Sequence, residues 1–215
     1  MPKMAEHLAC QWSLPVDGTQ EGLKGVGSED IVGATRPTDV MAAKATGMYS
    51  VNVPSTGGDT LFSNCYAAYD VLPDALRRKI EGRSGAHIYG GRLKRQQERI
   101  EASDRGRTPA IHPLVQVHPE TGRKTLYFND GQIISIVGMD ARESEATIEE
   151  LAQLTASPDG DYRHKWQAGD VVLWDNRCAI HCATGDYPVH ERRTNWRSTI
   201  MEPGWQQRQP ISASM

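Results

Sequence analysis

The stretch Val171-Val172-Leu173-Trp174-Asp175-Asn176-Arg177-Cys178-Ala179-Ile180-His181 sets the reading of this chain. A short apolar run, residues 171–174, enters a polar turn and is followed by a histidine. Short apolar runs bounded by turn residues read as buried strands. A side chain at the mouth of a barrel built from such strands is well placed to hold a metal or a ligand. Downstream lie Arg192, Arg193 and Arg197, with Arg193 and Arg197 at the start of the strand-like run 196–200. Arginine presents a planar fork of donors that meets a carboxylate at two points. A metal-ligating histidine followed by an arginine about a dozen residues later suits a molecule with one chelating end and a distal carboxylate. Alpha-ketoglutarate is such a molecule. Taken alone, His181 reads better as a satisfied core histidine and the arginines as surface charges; the surrounding pattern shifts the balance.

Outward from this stretch, the chain alternates short strands with a few helices. Residues 48–53 alternate in the manner of a strand, residues 54–58 read as a turn, and residues 60–62 as a short strand. Asn64 is placed to cap a helix through Asp70, and Pro73-Asp74 opens another through Ile80. A short strand is expected at 87–89. Residues 114–118 and 125–129, joined by Pro119-Glu120-Thr121-Gly122-Arg123, give a hairpin signal. Residues 146–154 place Ile148, Leu151, Ala152 and Leu154 on one helical face, and short strands return at 162–166, 171–174 and 196–200. Long βαβ alternation is absent, which favours a β-sandwich or jelly roll over a doubly wound sheet.

The bulk properties agree with one soluble domain. The 215 residues are 38% hydrophobic and 24% charged, with a formal net charge of −3. No clustered basic surface is indicated, so no nucleic-acid partner is expected; Arg92, Lys94, Arg95 and Arg99 read as a solvated face. No apolar stretch reaches bilayer length and residues 1–10 lack a secretory h-region, so no membrane association is expected. Cys10, Cys65, Cys178 and Cys182 match no zinc spacing and read as reduced thiols of a cytoplasmic protein.

Five segments in order then carry a resemblance. Gly57-Gly58-Asp59-Thr60-Leu61-Phe62-Ser63-Asn64 is followed by Ala67-Ala68-Tyr69-Asp70 and Leu72-Pro73. His112-Pro113-Leu114-Val115 precedes His118-Pro119-Glu120-Thr121-Gly122-Arg123-Lys124. Trp166-Gln167-Ala168-Gly169-Asp170 precedes Trp174-Asp175-Asn176-Arg177. Together they resemble the taurine dioxygenase (TauD/TfdA) family of non-heme iron, alpha-ketoglutarate-dependent dioxygenases. The resemblance implies a mainly β fold with inserted helices, a double-stranded β-helix (cupin-like jelly roll). That domain is expected over residues 41–205, with an irregular or truncated segment at 1–40 and a tail at 206–215. It implies Fe(II) held by two histidines and a carboxylate, with alpha-ketoglutarate as cosubstrate and molecular oxygen as co-reactant. The products would be succinate, CO2 and a hydroxylated small, anionic organic substrate. His181 matches the distal iron ligand, Thr60 the hydroxyl on the far carboxylate of alpha-ketoglutarate, Arg193 the arginine pairing with it, and Arg197 the arginine facing the substrate. The segment between His181 and Arg193 is one residue longer than the family pattern, so Arg192 competes with Arg193. Homo-oligomerisation is left open.

The family's first two ligands come from a His-x-Asp pair, and this chain has none. One alignment puts Ser28-Glu29-Asp30 there, the other Pro37-Thr38-Asp39, with the first preferred; Asp30 and Asp39 also read as ordinary loop carboxylates. His118-Pro119-Glu120 is rejected as a substitute because it sits in the hairpin turn, where Glu-Thr-Gly-Arg is expected to face solvent. A catalytically impaired relic that binds an anion without turnover is the alternative.

Overall fold

The computed structural model describes residues 43–88, 108–155 and 162–201. Along them run β1 (Ala43–Asn52), β2 (Thr60–Asn64), α1 (Cys65–Asp70), α2 (Asp74–Ile80), β3 (Ser84–His87), β4 (Ala110–Pro113) and β5 (Val115–Val117). Then follow β6 (Lys124–Leu126), β7 (Ile133–Ile136), α3 (Ala141–Thr155), β8 (Tyr162–His164), β9 (Val171–Asp175), β10 (Ala179–Ala183) and β11 (Thr194–Met201). The sheets run β11-β1-β9, β10-β2-β8 and β4-β3-β7, with β5-β6 as a hairpin. Every one of these pairings is antiparallel. The first two strands each lie between strands from the last third of the chain, so residues 43–64 and 162–201 build one unit. Residues 84–136 build the other. The chain is mainly β with inserted helices, as its short apolar runs predict.

Local sequence explains the element ends. The Asn64 side chain accepts the amides of Tyr66 and Ala67 at 3.0 and 3.2 Å, the cap that starts α1. Pro73 enters α2, with Asp74 in its first turn and Arg77, Arg78 and Lys79 in its last, the order the helix dipole favours. Asp140 Oδ1 accepts the Glu143 amide at 2.9 Å ahead of α3. Helix α3 buries Ser144, Thr147, Ile148, Leu151, Ala152 and Thr155 at helical spacing. Its Ile148 and Leu151 join Leu76, Ile80, Leu114, Leu126, Ile133 and Ile136 in the core between helices and sheet. Each such side chain contributes about 1.5–3 kcal/mol by leaving water.

Four strands differ from the sequence expectation. Of the strand expected at 87–89, Tyr89 lies outside the described residues and His87 ends a strand at Ser84–His87, while Ala110–Pro113, Ile133–Ile136 and Ala179–Ala183 have no clear period-2 signal. Gly85 is the physical reason for the first. A Cβ there would lie 2.8 Å from Ile133 Cδ1 and 3.1 Å from Leu114 Cδ2, so the bare backbone itself packs on the core. In β10 every residue is half-buried, so apolar alternation has nothing to mark. No helix among the described residues is long and apolar enough to cross a membrane.

Candidate functional site

Four strands and the entry to the last of them supply the site. In the β10–β2 ladder His181 opposes Phe62, and Ala183 opposes Thr60. Directly opposed residues share a sheet face and residues two apart keep it, so His181, Phe62 and Thr60 project to one side. Trp174 of β9 packs on the two rings, its centroid 4.6 Å from that of His181 and 5.3 Å from that of Phe62. The Arg197 guanidinium, from β11, lies 5.9 Å from the Trp174 ring centroid.

Arg193, just ahead of β11, reaches the same side. Its Nε donates to the Gly58 carbonyl at 2.8 Å and its Nη2 to Thr60 Oγ1 at 3.4 Å. Thr60 Oγ1 also accepts from Trp166 Nε1 at 2.9 Å. With two donors on its oxygen, the hydroxyl proton of Thr60 is directed elsewhere and can be given to a ligand. Thr60, Arg193, His181 and Arg197 are thus brought together, while Arg192 is exposed. The turn that makes this approach needs glycine. Gly57 and Gly58 have φ of 68° and 71°, and a Cβ on Gly57 would lie 2.4 Å from the Asp186 carbonyl oxygen.

The electrostatics suit an anion beside a neutral imidazole. Burial, and secondarily the charge of Arg197, pushes the His181 imidazole down to about 3. At neutral pH it carries a lone pair, the form that ligates metal. Burial lowers Arg193, partly offset by Tyr187 and Asp59, and lowers Arg197 to about 10. A carboxylate placed against these cations recovers part of the solvation they have lost. A molecule with a carboxylate at Thr60 and Arg193 and a chelating end toward His181 fits this donor set.

The rest of an iron site is not supplied by the described residues. Ser28, Asp30, Pro37, Asp39 and His7 lie outside them, as does Cys10. Among the described residues one His/Cys/Asp/Glu group is close enough to ligate a metal: His118, Asp175 and Cys178, whose ligand atoms lie within 4.8 Å. It is already internally satisfied. His118 Nδ1 accepts the Glu120 and Thr121 amides at 3.3 Å each, leaving Nε2 to donate to Asp175 Oδ2 at 3.1 Å. Arg177 Nε donates to Asp175 Oδ1 at 2.9 Å and its Nη2 to Glu120 Oε2 at 2.6 Å. Burial raises the Asp175 carboxyl, yet its bonds to Arg177 and His118 outweigh this and hold it below its usual range. A dication there would face the Arg177 guanidinium, so this cluster is an ion-pair lock between β9 and the hairpin. The hairpin tip, residues 119–123, is exposed as expected.

Sequence reasoning missed several contributors. Trp166 stood in a motif without a role; only its indole bond to Thr60 gives it one. Asp186, Arg163 and Glu191 carried no signal, because their partners Gly58, Asp59 and Ser55 are more than a hundred positions away.

Comparison with known proteins bears on the family and the fold. The family model "Taurine catabolism dioxygenase TauD, TfdA family" matches residues 30–199. An (S)-phenoxypropionate/alpha-ketoglutarate-dioxygenase of Sphingobium herbicidovorans is 36% identical over 156 residues, 69% of this chain and 54% of that protein. The crystal structure of a taurine dioxygenase from Burkholderia xenovorans superimposes with a TM-score of 0.66 at 34% identity, covering 78% of this chain and 55% of that one. The structure of AAD-2 in complex with Mn(II) and N-oxalylglycine superimposes with a TM-score of 0.68 at 28% identity, covering 80% and 61%. The chain spans about half the length of the curated relatives it matches. By matched length, motif order and fold, it belongs to the TauD/TfdA family of taurine catabolism dioxygenases, with their cupin-like jelly roll.

Proposed function

We propose that this chain is an Fe(II)- and alpha-ketoglutarate-dependent dioxygenase acting on a small anionic organic substrate. The observation that carries the reading is the convergence of Arg193 and Thr60, 3.4 Å apart, on the sheet face that carries His181. Thr60 and Arg193 hold the distal carboxylate of alpha-ketoglutarate, which aims its keto-acid end at a metal ligated by His181. N-oxalylglycine, held with Mn(II) by one solved relative, is an analogue of that cosubstrate. Fe(II) held there would supply the oxidising chemistry, with alpha-ketoglutarate and a substrate C–H bond each giving two electrons to oxygen, one oxygen atom entering succinate as CO2 leaves and the other entering the substrate as a hydroxyl. The protein's part is orientation and dryness. Trp174 and Phe62 wall the His181 imidazole from water and keep it neutral, and Arg197 offers a buried cation to the substrate's acidic group. Relatives named for phenoxypropionate, 2,4-dichlorophenoxyacetate and sulfonate substrates support an anionic substrate class.

A second reading, an anion-binding member with little turnover, is favoured by one specific feature: the sequence contains no His-x-Asp. Loss of a metal ligand costs more than the roughly 10–100-fold typical of outer-shell partners. The test is anaerobic Fe(II) titration of the chain, with succinate assayed after oxygen is added. Tight iron binding and brisk succinate formation support the first reading. Weak binding that Ser28→His strengthens and Pro37→His does not supports the second, and places the defect at Ser28.

A further inference from the structure

The segment between β10 and β11 grips the glycine turn at several points. Thr184 donates its amide to the Asp59 carbonyl at 3.0 Å. Asp186 Oδ1 accepts the Gly58 amide at 2.9 Å and the Thr184 hydroxyl. Its Oδ2 accepts from Arg163 Nη2 at 3.2 Å, while Arg163 Nε donates to Asp59 Oδ2 at 2.7 Å. Gly58 is therefore held from both sides: its N–H by Asp186, its carbonyl by Arg193 Nε at 2.8 Å. The left-handed backbone of Gly57 and Gly58 has no side chain to stiffen it, so these bonds set where the Gly58 carbonyl points. That carbonyl in turn orients the guanidinium that reaches Thr60.

We propose that Asp186 is a positioning residue for alpha-ketoglutarate, acting through the Gly58 amide on the Arg193 guanidinium. The inference rests on the reading of Thr60 and Arg193 as the distal-carboxylate cradle. It makes a distinction that a surface ion pair with Arg163 does not. Such exposed pairs contribute little to stability and bear on every ligand alike. A positioning role affects only ligands that carry the distal carboxylate.

The test compares alpha-ketoglutarate with pyruvate, which keeps the keto-acid end and lacks that carboxylate, by calorimetry on the Mn(II)-loaded chain. In Asp186→Ala the ratio of alpha-ketoglutarate to pyruvate affinity falls about ten-fold, the lower end for groups that orient a bound partner. In Asp186→Asn, which keeps an acceptor for the Gly58 amide, it falls about two- to four-fold by the same reasoning. Equal weakening of both ligands, or an unchanged ratio in Asp186→Ala, overturns the proposal. Should that variant fail to fold, Asp186→Asn decides: a lowered ratio with an unchanged melting temperature supports it, an unchanged ratio overturns it. Arg193→Ala separates the levels. If it leaves alpha-ketoglutarate affinity intact, the cradle reading falls; if it abolishes affinity while the Asp186 variants keep the ratio, only the present inference falls.

Discussion

Trp166 is the residue whose role depends most on three-dimensional context. Its indole N–H fills one lone pair of Thr60 Oγ1 at 2.9 Å and so directs the hydroxyl proton toward the cradle. A neutral hydrogen bond contributes about 0.5–1.5 kcal/mol. Trp166→Phe keeps the ring and loses the bond, so alpha-ketoglutarate affinity is expected to fall about five-fold with Fe(II) affinity unchanged, read by calorimetry. Thr60 was singled out in the sequence by its fixed offset within a continuous motif, and Arg193 only by its distance from His181. The choice of Arg193 over Arg192 was not legible, since one inserted residue shifts the register; side-chain direction ahead of β11 turns Arg193 inward. Asp186 was invisible for another reason: its role is a contact with a backbone amide 128 positions away.

At the scale of elements, caps and turns carry the sharpest tests. Asn64 takes two amides at the start of α1, so Asn64→Ala is expected to cost about 1 kcal/mol. Thermal denaturation would show it as a drop of a few degrees. Gly57→Ala is a stronger change. The left-handed backbone costs an alanine about 1–2 kcal/mol. The added Cβ would also meet the Asp186 carbonyl oxygen at 2.4 Å, a backbone atom with little room to yield. A larger loss of melting temperature than for Asn64→Ala is expected, with weakened alpha-ketoglutarate binding. The helices α1 and α2 were readable to the residue because their ends carry Asn64, Pro73 and Asp74. Strands β7 and β10 were not, because Ile133–Ile136 and Ala179–Ala183 lack the apolar-polar alternation that marks a strand with one wet face.

Across the whole molecule, stability and ligand binding respond to different buried groups. His87 is fully buried, its Nδ1 3.1 Å from the Gly85 carbonyl, and burial with the neighbouring His112 pushes its imidazole down to about 3. The unfolded state, with the ordinary value near 6.5, binds the proton more readily. Stability from this group is therefore complete above about pH 6.5 and lost as pH falls toward 3, at up to about 1.4 kcal/mol per pH unit. Urea midpoints measured between pH 7.5 and 5 should fall, and fall less in His87→Phe. The family, fold and order of motifs were legible along residues 57–197, whereas the rest of the metal site was not, since no His-x-Asp stands in the sequence. The account's central claim is the cradle that Thr60 and Arg193 form for a distal carboxylate. It is tested most directly by calorimetric titration of alpha-ketoglutarate into the unmodified chain, Arg193→Ala and Arg192→Ala. A charged hydrogen bond contributes roughly 1.5–3 kcal/mol, so Arg193→Ala should weaken binding about ten- to a hundred-fold while Arg192→Ala leaves it nearly unchanged. Equal effects of the two substitutions, or no effect of Arg193→Ala, would contradict the account.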